Sequence, residues 1–256
     1  MMPSELDNRR IRAARAELDR RWNMLGELIC RKLNYQRRSV IVEAEYQAAA
    51  VWAGLYGEGA ERITRNRGAT NVVPFAVLPK GLTAWLGYQE VWDQESGRKP
   101  FVFRQAGITI HVGEVGDPVK PQLLRLEWPG LRDWDRSGVG FQSPGAGHPH
   151  WHIDIFESLQ PLRQQAKFDP EFLESVEDFG SIPEAPSPIE RISGLTFERM
   201  HLASVAPWWS DGPAEFTHHH LNAPSNEAAI SRWLGCAVDY VRQELSRCVV
   251  RGQTRP

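Results

Sequence analysis

Between residues 100 and 130 apolar and polar side chains alternate. Phe101 and Phe103, then Ile108, Ile110 and Val112, then Leu124, Leu126 and Trp128 are interleaved with polar neighbours such as Thr109, His111, Arg125 and Glu127. Successive side chains of a β-strand point to opposite faces, so this period predicts three half-buried strands. Gly107 and the segment 113–118 supply turn chemistry, and an antiparallel meander is the simplest connection. The alternation returns at His148, His150, His152 and Asp154, set against Pro149, Trp151, Ile153 and Ile155. That stretch predicts a fourth strand with one face for packing and one for binding.

A period of three to four governs the two ends of the chain. Ile11, Ala14, Leu18, Trp22, Leu25 and Ile29 form one stripe, which predicts a helix over residues 4–34. Its partner is expected to be a second helix over 41–66, or the same helix of another copy in a homodimer formed through residues 4–34. A further helix is predicted over 226–249, capped by Ser225 or Asn226, with Ile230, Leu234, Ala237, Val241 and Leu245 facing the core. Residues 195–203 read as a further strand. The proline-bearing segment 158–194, with a short helix over 171–179, reads as an excursion, and the glycine-rich stretch between Trp128 and His148 reads as a long functional loop. The expected fold class is α+β: an antiparallel sheet of at least four strands packed with a long C-terminal helix, preceded by an N-terminal helical region. The expected division is residues 1–70 for the helical region and 71–256 for the α+β domain carrying the histidines.

Composition narrows the class. In 256 residues, 41% hydrophobic and 24% charged content with a net charge of -2 describe a globular chain rather than a disordered one. No apolar run is long enough for a membrane span or a signal peptide, so a cytoplasmic protein without membrane contact is expected. Residues 1–38 hold ten basic against five acidic side chains, but the two signs interleave as on a solvated helix face. Cys30, Cys236 and Cys248 show no paired spacing and read as packed thiols.

The candidate chemistry lies in the histidines. Seven of the eight fall between residues 148 and 220: His148, His150, His152, His201, His218, His219 and His220. Imidazole suits zinc and other divalent ions, so a shared site for Zn, Mn or Mg is expected. Strand neighbours two apart stand about 6.6 Å from one another and those four apart about 13 Å. Two adjacent histidines of the row can therefore chelate one ion, and the remaining ligand must come from His201 or from His218 to His220. Asp154 would ligate or orient a histidine. Asp133 and Asp135 in the loop read as turn formers, and Trp208-Trp209 as a candidate exposed platform for bases or a partner. Phosphate-loop, dinucleotide and serine-hydrolase motifs are absent from the sequence.

The segment Pro149-His150-Trp151-His152-Ile153 resembles the metal-binding His-hydrophobic-His motif of the HUH endonucleases, which include replication initiators, relaxases and transposases. That resemblance, about ten residues long, implies a nucleophilic tyrosine on a later helix, where Tyr240 stands in the right order. Gln243 departs from the lysine often found nearby. The run His148-Pro149-His150-Trp151-His152-Ile153 is also similar to the motif of histidine-triad nucleotide hydrolases and transferases. That likeness implies His150 as nucleophile toward a phosphate without a metal; Asp154 departs from it. The expected function is a metal-dependent phosphodiesterase or nuclease acting on a nucleotide or nucleic acid, with His150, Asp154 and Tyr240 as candidate catalytic residues and His148, His150, His152, His201, His218 and His220 as candidate ligands. The alternative expectation is a non-catalytic interaction component of a multi-protein bacterial system, docking through its N-terminal helix.

Overall fold

The computed structural model describes residues 11–33, 40–47, 49–65, 68–94, 100–118, 120–129, 150–153, 188–197 and 227–250, and the structural statements below concern these residues. Strand β1 (Arg12–Ala13) leads into helix α1 (Arg15–Lys32), followed by β2 (Val40–Tyr46), β3 (Ala50–Gly57), β4 (Glu61–Arg65), β5 (Gly68–Val77), β6 (Thr83–Gln94), β7 (Phe101–Gly113) and β8 (Gln122–Pro129). Then come β9 (His150–Ile153), helix α2 (Pro188–Ser193), β10 (Leu195–Phe197), helix α3 (Glu227–Leu245) and β11 (Cys248–Val250). Strands β1 to β9 form one antiparallel sheet in the order β2-β3-β6-β7-β8-β9, with β5 also on β6, β4 on β5 and β1 on β7. Strands β10 and β11 form a separate pair.

The period of two decides which side of the sheet is apolar. Val40 and Val42 of β2, Val51, Ala53 and Leu55 of β3, Ile108, Ile110 and Val112 of β7 and Leu124, Leu126 and Trp128 of β8 are buried in one core. Helices α1 and α3 cover that face. Helix α1 contributes Leu18, Trp22, Leu25 and Ile29, and α3 contributes Ile230, Trp233, Leu234, Ala237, Val241 and Leu245, all buried. Trp128 and Trp233 meet edge to face with ring centroids 6.1 Å apart. The two helices are tied by the Lys32–Asp239 ion pair and by Arg242 donating to the Lys32 carbonyl. The ladder approaches α1 closely at Gly26, where a Cβ would stand 3.2 Å from the Ile41 Cα and the Val40 carbonyl oxygen.

The antiparallel sheet and the C-terminal helix agree with the sequence, and His150–Ile153 form a strand paired with β8, but the first two strands expected before it are the single strand β7, so it follows two strands rather than three. Three further expectations are corrected. Residues 41–66 are not a second helix: they carry β2, β3 and β4, joined to the later strands through the β3–β6 ladder. Their alanines favour a helix locally, but the Val40, Val42 and Val51, Ala53, Leu55 alternation buries apolar surface only as strands. Gly107 is not a turn; β7 runs straight through it, and the missing side chain admits the Leu126 carbonyl, which a Cβ there would meet at 3.3 Å. The N-terminal helix is shorter than 4–34, because Ile11 to Ala14 precede it and β1 pairs with β7.

The stripe that the sequence offered to a partner helix is packed inside this chain, where Leu18, Trp22, Leu25 and Ile29 are each at most 3% exposed. The C-terminal helix stops at Leu245, and the further strand predicted from 195 runs to Phe197 within the described residues. Cys30 and Cys248 behave as packed thiols. Cys30 Sγ accepts the Val40 N–H at 3.0 Å, and burial pushes the Cys248 thiol up to about 11. No described helix is long and apolar enough to cross a membrane. The glycine-rich loop beyond Pro129 and the helix expected over 171–179 lie outside the described residues.

Candidate functional site

The face of the sheet turned away from α1 and α3 buries a small apolar cluster of Ile63, Val72 and Trp85, and its β8–β9 end is polar and carries the histidine strand. Antiparallel register sets His150 opposite Glu127 and His152 opposite Arg125. Alternation sends Leu126 and Trp128 into the core, so Arg125 and Glu127 project to the other side. There Glu127 is shared between two neighbours. Its Oε1 accepts from Arg125 Nη1 at 2.7 Å, and its Oε2 stands 3.7 Å from His152 Nε2. The His152 and Glu127 side chains are 36% and 37% exposed, so they are held by the sheet yet open to solvent. A carboxylate oxygen and an imidazole nitrogen at this separation can share one divalent ion with little adjustment, and the neighbouring guanidinium favours an anion such as phosphate. Among the described residues no group of three or more His, Cys, Asp or Glu side chains is gathered for a metal.

Trp151, between the two histidines, turns the other way and packs on the core. Its ring lies against Tyr240 of α3, with centroids 5.7 Å apart and planes inclined by 52°. Tyr240 is therefore on the helix side of the sheet, opposite the face that bears His152 and Glu127. The tyrosine implied as nucleophile by the HUH likeness is not brought to the histidine face. Its half-buried ring instead anchors β9 to α3. His148, Asp154, His201, His218, His219 and His220, with Asp133, Asp135, Trp208 and Trp209, lie outside the described residues.

Two polar clusters escaped the sequence reading. The larger is built around Glu90 of β6, whose side chain is fully buried. Arg21 donates to it through Nε and Nη2, Trp92 Nε1 at 2.6 Å, Trp22 Nε1 at 3.2 Å, and the Tyr88 hydroxyl makes a short hydrogen bond. Arg21 Nη1 also reaches the Glu227 carbonyl at 2.9 Å and Ser231 Oγ at 2.5 Å, so the cluster joins α1, β6 and the first turn of α3. Burial works to raise the Glu90 carboxyl, but the Arg21 charge and the hydrogen bonds from Arg21, Tyr88 and Trp92 outweigh it and hold the group below its ordinary value. Burial, reinforced by the Glu90 charge, lifts the Tyr88 phenol well above 10, which keeps it a neutral donor. One signal was present in the sequence: an acid at residue 90 interrupts the apolar row Leu86, Tyr88, Trp92.

The second cluster lies under the β7–β8 connection. Buried His111 bonds the Lys120 carbonyl through Nδ1 at 3.1 Å and Thr109 Oγ1 through Nε2 at 3.0 Å. Lys120 pairs with Glu61 at 2.6 Å and sits 4.5 Å above the Trp85 ring. Its partners are all satisfied within the fold, which reads as structural tethering of β4 to the hairpin. Comparison of the chain with family models, with curated proteins and with solved structures gives no match.

Proposed function

We propose that the protein is a metal-dependent phosphodiesterase acting on a nucleotide or nucleic acid, with its divalent ion held on the polar β8–β9 end of that face. The observation that carries the reading is the pair His152 Nε2 and Glu127 Oε2, 3.7 Å apart on adjacent strands and open to solvent. His150, in register with Glu127, and the histidines at 148, 201, 218 and 220 are the further ligands in this proposal, with Asp154 beside the row. An ion so held, zinc or manganese by its ligand types, would polarise a phosphoryl oxygen and lower the pKa of a bound water. Arg125, next to Glu127, would hold the phosphate charge. The attacking group is a water rather than Tyr240, because the Tyr240 ring packs against Trp151 on the other side of the sheet.

Hydrolysis of bis(p-nitrophenyl) phosphate by tag-free protein, with Zn²⁺ or Mn²⁺ added in turn, tests this. Activity that needs the ion and falls on the order of 100-fold or more in His152→Ala is expected, since loss of a metal ligand removes the electrophile. Hydrolysis that is absent with both ions, or equal in wild type and His152→Ala, would overturn the reading.

A further inference from the structure

The same face of the sheet carries a second feature at its opposite end. Strand β6 pairs with β5 along residues 83–87 and with β3 along 89–93. Where β6 passes from one partner to the other, the β2–β3 and β4–β5 hairpins diverge, and a groove of about 620 Å³ opens between them. Trp52, Tyr56, Arg62, Asn71 and Gln89 line it together with two carboxylates, Glu43 and Glu45, of which Glu45 accepts from Gln47 Nε2 at 3.4 Å. Four ladder steps, roughly 19 Å at ~4.8 Å each, separate β3 from β9, so the groove is distinct from the histidine strand.

Trp52 and Tyr56 project from the same face of β3 with Gly54 between them, about 13 Å apart at the strand rise. A Cβ at Gly54 would meet nothing nearer than the Tyr88 carbonyl oxygen at 3.6 Å, so the floor between the two rings is open. Elsewhere on this face opposite charges find each other, as Arg104 with Asp93 and Arg125 with Glu127. In the groove the side chains of Glu43, Arg62, Asn71 and Gln89 are engaged by no hydrogen bond or ion pair with a described residue.

That inventory selects a ligand by charge. An anion would face Glu43 and Glu45, a cation would face Arg62 and the amide hydrogens of Asn71 and Gln89, and a purely apolar body would desolvate these polar side chains without replacing their hydrogen bonds. A neutral polyhydroxylated molecule meets every demand at once. Its hydroxyls both donate and accept, matching acceptor-only carboxylates, a donor-only guanidinium and two amides. The apolar C–H face of a sugar ring packs on an aromatic face such as Trp52 or Tyr56. We propose that this groove binds a short neutral oligosaccharide.

Calorimetric titration of the full chain in EDTA with cellotetraose, chitotetraose and maltotetraose tests this independently of any metal. Spermidine and tripolyphosphate serve as charged probes. One neutral tetrasaccharide is expected to bind, and Tyr56→Ala and Asn71→Ala, both on accessible side chains, each to weaken it on the order of tenfold. Failure of all three neutral probes, affinity unchanged in both variants, or binding of a charged probe that Tyr56→Ala removes, would each overturn the proposal.

Discussion

Arg21 and Glu90 form a two-pronged ion pair between α1 and β6, with Nε to Oε1 at 3.0 Å and Nη2 to Oε2 at 2.7 Å, and both side chains almost fully buried. Removing two charges from water is costly, so such a pair persists only where further hydrogen bonds satisfy what remains. Tyr88, Trp22 and Trp92 do this for the carboxylate, while Ser231 and the Glu227 carbonyl do it for the guanidinium. Three segments far apart in sequence are thereby locked in one arrangement, and the sheet whose other face bears the candidate sites is fixed against its helices.

Breaking one side of this pair leaves an uncompensated buried charge. Arg21→Ala and Glu90→Ala are each expected to destabilise the fold by about 3–5 kcal/mol, and the double variant by clearly less than their sum. Urea unfolding of the four proteins measures it; strict additivity would show that the two groups do not depend on one another.

The same pair sets an acid limit. The Glu90 carboxyl lies below its ordinary 4.5 in the folded state, so its contribution is fully present above that value and is lost as pH falls through the lower folded value. Unfolding midpoints followed from pH 6 to pH 2 are expected to drop more steeply for wild type than for Glu90→Gln. Parallel curves would contradict this.

Gly26→Ala ought to stabilise an isolated helix by about 1 kcal/mol. Here the added methyl would meet the backbone of Ile41 and Val40 at 3.2 Å, atoms that move only with strand β2. A net loss of about 1–3 kcal/mol is expected from overpacking. A raised thermal midpoint would mean that α1 can lift off the sheet without cost.

Much of this fold was legible from periodicity. The stripe Ile230, Leu234, Ala237, Val241, Leu245 specified α3, and the Ile108, Ile110, Val112 alternation specified half of β7, because each element buries one side against one core. Residues 41–66 misled for a physical reason: alanines at 44, 48, 49, 50 and 53 favour a helix locally, while pairing of β3 with β6, some forty residues onward, decides for strand. Gly107 carried turn chemistry but serves a close approach between strands. The Arg21–Glu90 pair spans 69 residues and a helix-to-sheet contact, which no local pattern encodes. The histidine row located β9 and its polar face; its neighbour Glu127 emerged only from the register with β8.

Metal stoichiometry of the tag-free protein is the most direct test of the site on that face. Equilibrium titration with Zn²⁺ and Mn²⁺, read by elemental analysis after gel filtration, is expected to give about one ion per chain in wild type and at least tenfold weaker retention in His152→Ala and in Glu127→Ala, with unfolding midpoints unchanged. No retained ion, or equal retention in all three proteins, would contradict a metal centre at His152 and Glu127.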